Sequence, residues 1–350
     1  MKRKFITTAA MALAATMMLA ACGNSSSGSS ATNSAAAPSA SSATAAASTT
    51  ATSNYPGGKN VTLYCGYSAG GSSDTLCRLM AAKVSEKLGT TVTVENVTGA
   101  SGWVLWNQMM ENTDPDGYSF FLINSPNVTA GKYDVDNPMK YDQNDFEMIC
   151  NQVTDSNCLA IRVDDDRYSD WDSFSAYWKQ EGSLITSASG LGIASDDATA
   201  DMLVSKDLGV EVDIIASGGS GDNVTFLLNG TTDFLMGNVS EMVAAHNEGQ
   251  YKILCVFAEE RDPNLPDVPT YEELTGHKVV GCSSRGYAML KDVPDDIKVI
   301  LGDAVKAAVQ DPDMIQQLAD IYTTTDYKEG QEYVDYMNAQ QQQARDTWGV

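Results

Sequence analysis

Three short runs of glycine and serine hold the residues best suited to chemistry in this chain. They are Tyr64-Cys-Gly-Tyr-Ser-Ala-Gly-Gly-Ser-Ser-Asp-Thr75, Ser189-Gly-Leu-Gly192 and Ser217-Gly-Gly-Ser-Gly221. Each stands between a β-rich run and a helical pattern. At such a junction the first helical turn presents unpaired N–H groups and the positive end of its dipole. An anion is held there without any lysine or arginine. Glycines also permit tight turns, and Ser73 or Asp74 would serve simply as a helix cap. That reading fits one junction better than three in a single chain.

Other chemistries find little support. The first loop lacks the Gly-Lys-Ser/Thr ending of a phosphate loop and the glycine spacing of a dinucleotide fold. The only histidines are His246 and His277, neither spaced for zinc or for a serine triad. Asp164-Asp165-Asp166 lacks the alternation and glycine of a calcium loop. No metal or cofactor is expected. A secreted hydrolase using Asp74 or Ser72 is the alternative from another class, but no base pairs recognisably with a nucleophile. The inventory favours a binder over an enzyme.

The elements that must position these loops alternate. Strands are expected at Val61–Tyr64, Thr91–Glu95, Tyr118–Ile123, Phe146–Val153, Cys158–Val163, Leu184–Ser187, Val212–Ala216, Phe234–Met236 and Ile253–Phe257. Helices are expected at Ser73–Leu88, from the turn at Thr98–Gly102 to about Asn112, and at Ser195–Leu208, Asp222–Leu228, Pro294–Gln310 and Gln331–Thr347. This order argues a parallel-rich α/β architecture with helices on both faces. In open α/β sheets ligands sit beyond the carboxyl ends of strands, where these turns fall.

The N-terminus reads as a secretory signal. Lys2, Arg3 and Lys4 precede the apolar run Phe5–Ala21, which leads into Leu19-Ala-Ala-Cys22. That ending resembles a bacterial lipobox, in which Cys22 is lipidated and becomes the new N-terminus. Residues 23–54 are almost wholly Ser, Ala, Thr and Asn and are expected to form a disordered tether spanning roughly 30 Å. The formal charge is −24, or −27 without Lys2, Arg3 and Lys4, which excludes binding of nucleic acid by charge. Six further cysteines remain. Cys150 and Cys158 stay open between a bridge across a hairpin and free thiols; Cys65 and Cys77, in a strand and a helix, are expected buried and free.

The loop and helix Ser68-Ala-Gly-Gly-Ser-Ser-Asp74 with Arg78 resemble the solute-binding receptors of tripartite tricarboxylate transporters (the Bug-type receptors). The resemblance continues at Glu95-Asn96, the Gly-Ala-Ser-Gly102 turn and Pro115-Asp-Gly-Tyr118. It is most specific at Arg261-Asp-Pro-Asn-Leu-Pro-Asp-Val-Pro-Thr270 with Glu273 and Gly276, and then Arg285-Gly286. It covers Tyr55 to the C-terminus and implies a two-lobed, type II periplasmic-binding-protein-like α/β fold, each lobe a mixed sheet flanked by helices. Lobe 1 would be 55–157 plus 284–350, and lobe 2 would be 158–283. The resemblance further implies a monomer outside the cytoplasm that captures a small organic carboxylate in the interlobe cleft. It would deliver that ligand to integral-membrane permease subunits, held to the membrane by its lipid anchor. A receptor of similar fold for another importer, of amino acids or phosphonates, is the alternative.

Carried over, the expected ligand residues are Tyr67, Ser68, Ala69, Gly70, Gly71 and Asp74 in the first loop, with Ser125 and Asn127 in the same lobe. From lobe 2 they are Ser189, Gly192, Ala194, Ser195, Gly218, Gly219 and Asn238. A histidine usual early in the lobe 2 helix is absent here, Ala198 or Thr199 standing nearest. Trp103 stands where members tend to have a smaller residue, and is open between core filler and pocket wall.

Overall fold

The computed structural model describes residues 54–135, 138–181, 185–190, 192–217 and 219–350. The expectations for the leader, Cys22 and the tether up to residue 53, and for Gly218, lie outside these residues.

β1 (Val61–Cys65) leads into α1 (Ser72–Leu88), whose Leu76, Cys77, Met80, Ala81 and Val84 make one buried face. Gly89 ends this helix at φ 63°, a conformation glycine adopts at little cost. β2 (Val92–Asn96), α2 (Trp103–Asn112), β3 (Ser119–Ser125) and α3 (Asn127–Ala130) follow. β4 runs unbroken over Phe146–Arg162 and is followed by α4 (Trp171–Glu181). Then come β5 (Thr186–Ser189), α5 (Asp196–Leu208), β6 (Asp213–Ala216), α6 (Ser220–Leu228), β7 (Leu235–Asn238), α7 (Val239–Asn247), β8 (Tyr251–Val256) and α8 (Tyr271–Thr275). β9 (Cys282–Leu290), α9 (Asp295–Val309), α10 (Pro312–Ala319), β10 (Thr325–Glu329) and α11 (Gly330–Trp348) complete the chain.

One eight-stranded sheet has the order β10-β4-β9-β3-β1-β2, with β7 and β8 also pairing with β4; β5 and β6 form a separate pair. β1 is parallel to β2 and β3, and β5 to β6. Every pair made by β4 or β9 is antiparallel. The sheet is therefore mixed, and the expectation of a parallel-rich one fails because β4 pairs only antiparallel, as do β9 and β10, two strands that the sequence pattern does not announce. The two strands expected at Phe146–Val153 and Cys158–Val163 are one: Thr154-Asp-Ser-Asn157 looks like a turn by composition, yet Asp155 and Asn157 are buried within β4. Cys150 and Cys158 thus lie on a single strand about 25 Å apart at the usual rise, beyond the reach of a disulfide. The described cysteines are free, Cys65 and Cys77 among the buried ones.

Apolar side chains gather in separate groups along this frame. The largest draws on residues between Tyr55 and Val153 and between Tyr287 and Met337. Two others lie wholly within Cys158–Tyr271, one of them built on Trp171, Phe174, Trp178 and Phe234. β4 and β9 connect the regions. The Arg261–Thr270 segment proves to be a structural clasp: Thr270 and Glu273 cap α8 reciprocally, and Arg261 donates to Glu273 (2.9 Å) and to the Pro266 carbonyl (3.0 Å). Among the described residues no helix is long and apolar enough to cross a membrane.

Gly286 sits where β9 meets β4, and a Cβ there would stand 2.5 Å from the Cys150 carbonyl oxygen, with the Tyr333 hydroxyl also in the way. A strand backbone cannot yield as a side chain can. Gly286→Ala is expected to destabilise the protein by about 1–3 kcal/mol, read as a lower urea midpoint.

Candidate functional site

The loop after β1 is shaped by close approach. A Cβ at Gly66 would stand 2.8 Å from Gly102 Cα, so the loop and the Thr98–Gly102 turn meet backbone to backbone. In that turn Ala100 (φ 45°) and Ser101 (φ 53°) hold left-handed conformations unusual for residues with a side chain. The Tyr67 hydroxyl donates to the Ser101 carbonyl (3.1 Å). Gly71 is the N-cap of α1 and no side chain caps it, so the first turn of the helix is open.

Asp74 is buried behind this loop. It accepts from Gly70 N–H (2.8 Å), Arg78 Nε (2.8 Å) and Asn96 Nδ2 (2.9 Å), and Asn96 also donates to the Tyr67 carbonyl (2.9 Å). Burial raises the Asp74 carboxyl, but the hydrogen bonds from Arg78, Gly70 and Asn96 outweigh it and hold the group below the ordinary range.

In front of the loop lies a cavity of about 540 Å³. Gly71, Ser72 and Ser73 face it from the start of α1, and Asp196 and Asp197 from the start of α5. Gly219 and Ser220 face it from α6, and Asn238 and Glu241 from α7. Thr98, Gly99, Ser101, Asn124, Ser283 and Arg285 complete much of the wall. Glu241 is gripped by two hydroxyls, Ser72 at 3.1 Å and Ser220 at 2.6 Å. Asn157 donates to Asp196 (3.2 Å) and Asp197 (3.0 Å), and Asn238 to Asp196 (3.1 Å). Arg285, buried, lies 3.4 Å from Asp155 and 3.8 Å from Glu241.

Of the residues the sequence singled out, Tyr67, Ser68, Gly71, Asn127, Gly219 and Asn238 line this cavity. Ala69, Gly70 and Asp74 shape the loop from behind and do not line it. Ser125 is buried and shares a hydrogen bond with Thr129 (3.0 Å); side chains alternate along β3, and its neighbour Asn124 is the one facing the cavity. The turn before α5 also lies off the wall. Ser189 donates to the Gly190 carbonyl, Ser195 caps α5 at Ala198 N–H, Ala194 precedes that cap and does not line the cavity, and Gly192 stands beside Asp134. Trp103 is core: it is buried, meets Trp106 edge to face, and donates to the Asn127 carbonyl (3.2 Å).

The charged wall is what sequence reasoning missed. Asp196 and Asp197 look like ordinary first-turn acids that complement a helix dipole. Arg285 stood within the Arg285-Gly286 motif but showed no role until β9 carried it to the crossing with β4. Burial raises the Asp197 carboxyl well above the usual range, and the charges of Asp196 and Glu241 add to it. Asp196 is also raised, by burial first, although Asn238 and Asn157 oppose it. Among the described residues no group of three histidine, cysteine or acidic side chains is placed to hold a metal ion.

The cavity thus sits at helix N-termini in a mixed α/β fold, the arrangement of a periplasmic solute-binding protein. The model of the tripartite tricarboxylate transporter family receptor matches residues 76–347, and the chain belongs to that family. It is 30% identical over 281 residues to the "UPF0065 protein in gbd 5'region" of Cupriavidus necator, covering 79% of this chain and 82% of that one. A solute-binding protein from Polaromonas superposes with a TM-score of 0.68 at 25% identity, over 84% of this chain and 99% of that one. An R. palustris protein solved with adipate gives a TM-score of 0.74 at 22% identity, over 83% and 97%.

Two outcomes test the site's electrostatics. Asp74→Ala removes a buried charged acceptor shared by three donors and is expected to cost about 1–3 kcal/mol at neutral pH, measured by urea denaturation. Because the Asp74 carboxyl is held low in the folded state, that contribution is full above about pH 4 and closes as pH falls further. Asp197 has the opposite sign: the folded state favours its protonated form, so its charge costs stability increasingly as pH rises above about 4. Asp197→Asn is therefore expected to melt higher than the unaltered protein at neutral pH, with the gain vanishing toward pH 4.

Proposed function

We propose that this receptor captures a small organic carboxylate in the 540 Å³ cavity and presents it to integral-membrane permease subunits of a tripartite tricarboxylate-type transporter. The observation that carries the reading is the uncapped start of α1, which meets the buried Arg285 across one cavity. N–H dipoles and a desolvated guanidinium together suit a carboxylate in a chain whose overall charge repels anions. The family's description as a transporter receptor supports delivery to a permease, and the neighbour solved with adipate supports a carboxylate solute. No catalytic step is invoked.

In this reading the separate apolar groups are the cores of two lobes, 55–157 with 284–350 and 158–283, and the cavity is the cleft between them. The proposed mature protein is a monomer that begins at a lipidated Cys22 and is tethered outside the cytoplasm by residues 23–54.

Binding to the folded state raises melting temperature by mass action, by about 2.7 kcal/mol of added stability at a hundred times Kd. A screen of mono-, di- and tricarboxylates is expected to give concentration-dependent stabilisation by a subset of them. A flat response across every class, with the protein folded, would overturn the reading. In cells, Cys22→Ser is expected to move the protein from the membrane to the soluble fraction; unchanged membrane association would refute the anchor.

A further inference from the structure

The cavity wall mixes donors with an excess of acids. The first turn of α1 and Arg285 offer donors; Arg285 is 4% exposed and its Nε has no hydrogen-bond partner among the described residues. Asp196, Asp197 and Glu241 line the same space, Glu241 already accepting from Ser72. Asn124, 6% exposed, also lines it and carries an amide oxygen that likewise has no partner among the described residues. Three carboxylates thus share the wall with a single guanidinium, and that guanidinium already faces Asp155 and Glu241.

We infer that the solute is an amino-acid-like zwitterion, its carboxylate on Arg285 and the first turn of α1 and a cationic nitrogen, ammonium or guanidinium, against the acids Asp196, Asp197 and Glu241. The inference rests on the reading of this cavity as the solute site and names the class of solute it takes. A dicarboxylate seated on Arg285 would bring its second charge to acids whose ionisation burial and neighbouring charges already oppose. A cation there gains charge-assisted hydrogen bonds and relieves the repulsion among the acids. The Asn124 amide oxygen adds a neutral acceptor that an ammonium satisfies. The Asp197 carboxyl, raised by burial and then by its acidic neighbours, is the group such a cation would return to its charged form.

The test uses the full-length protein in detergent and two matched series. One runs through the dicarboxylates from malonate to adipate; the other holds the α-amino acids and γ-aminobutyrate, in which an ammonium replaces one carboxylate of glutarate. Thermal shift selects binders and calorimetry gives their affinities. Members of the amino-acid series are expected to bind at least about tenfold more tightly than dicarboxylates of matched length. In Asp197→Asn, and separately in Glu241→Gln, that preference is expected to fall about tenfold. A merely structural loss would weaken both series alike and leave their ratio unchanged. Dicarboxylates that bind as tightly as zwitterions in the unaltered protein would overturn this inference while leaving the carboxylate receptor standing. No binding in either series, with the protein folded, would overturn both.

Discussion

The structure turns on one buried ion pair. Asp155 in β4 and Arg285 in β9 meet where these antiparallel strands cross from one group of apolar residues to the next. Asp155 also accepts from Ser240, through both its N–H (3.1 Å) and its hydroxyl, which fixes the start of α7. Burial raises the Asp155 carboxyl, and Arg285 and Ser240 offset part of that penalty. Losing one partner of such a pair costs about 3–5 kcal/mol in measured cases, since the other charge is left uncompensated. The pair therefore sets three things together: the β4–β9 crossing, the α7 terminus that presents Asn238 and Glu241, and the position of the one guanidinium in the cavity.

The glycines have a different role from the one their composition first suggests. Gly66 and Gly102 let two turns touch, and Gly286 lets β9 lie against β4. Asp74, which looks like a ligand residue or a cap, does not cap α1 or line the cavity: it braces Gly70, Asn96 and Arg78 behind the loop. Much of the apparatus around the cavity thus makes shape, and the chemistry on its surface comes from side chains contributed by helix starts, two strands and the turns between them.

This division explains what the sequence made legible. α1, with its glycine stop and apolar face, follows from local pattern, as does the loop before it, and the family motifs carried the class of fold. β9 did not show, because Cys282-Ser-Ser-Arg-Gly286 has neither alternation nor a continuous apolar run; its polar residues are buried by partners far away in the chain. β4 was divided for the same reason, its central Asp155 and Asn157 finding partners only in three dimensions. The acids at the start of α5 were hidden by their own ordinariness. Which face of a helix start looks into a cavity depends on four other elements, and no short stretch of sequence records it.

The unbroken β4 has a mechanical consequence. No loose linker joins the two regions at this point, so any gaping of the cavity must be taken up as torsion in β4 and β9. The β4–β9 ladder shifts register between Met148 and Cys150 and between Asn151 and Val153 on one side of Asp155, and the β4–β8 ladder does so between Leu159 and Ala160 on the other. Bulges of this kind concentrate twist where few hydrogen bonds are at stake. The ion pair stands between them as a pivot, and the molecule would flex like a wrung ribbon, stiff at its centre and compliant to either side.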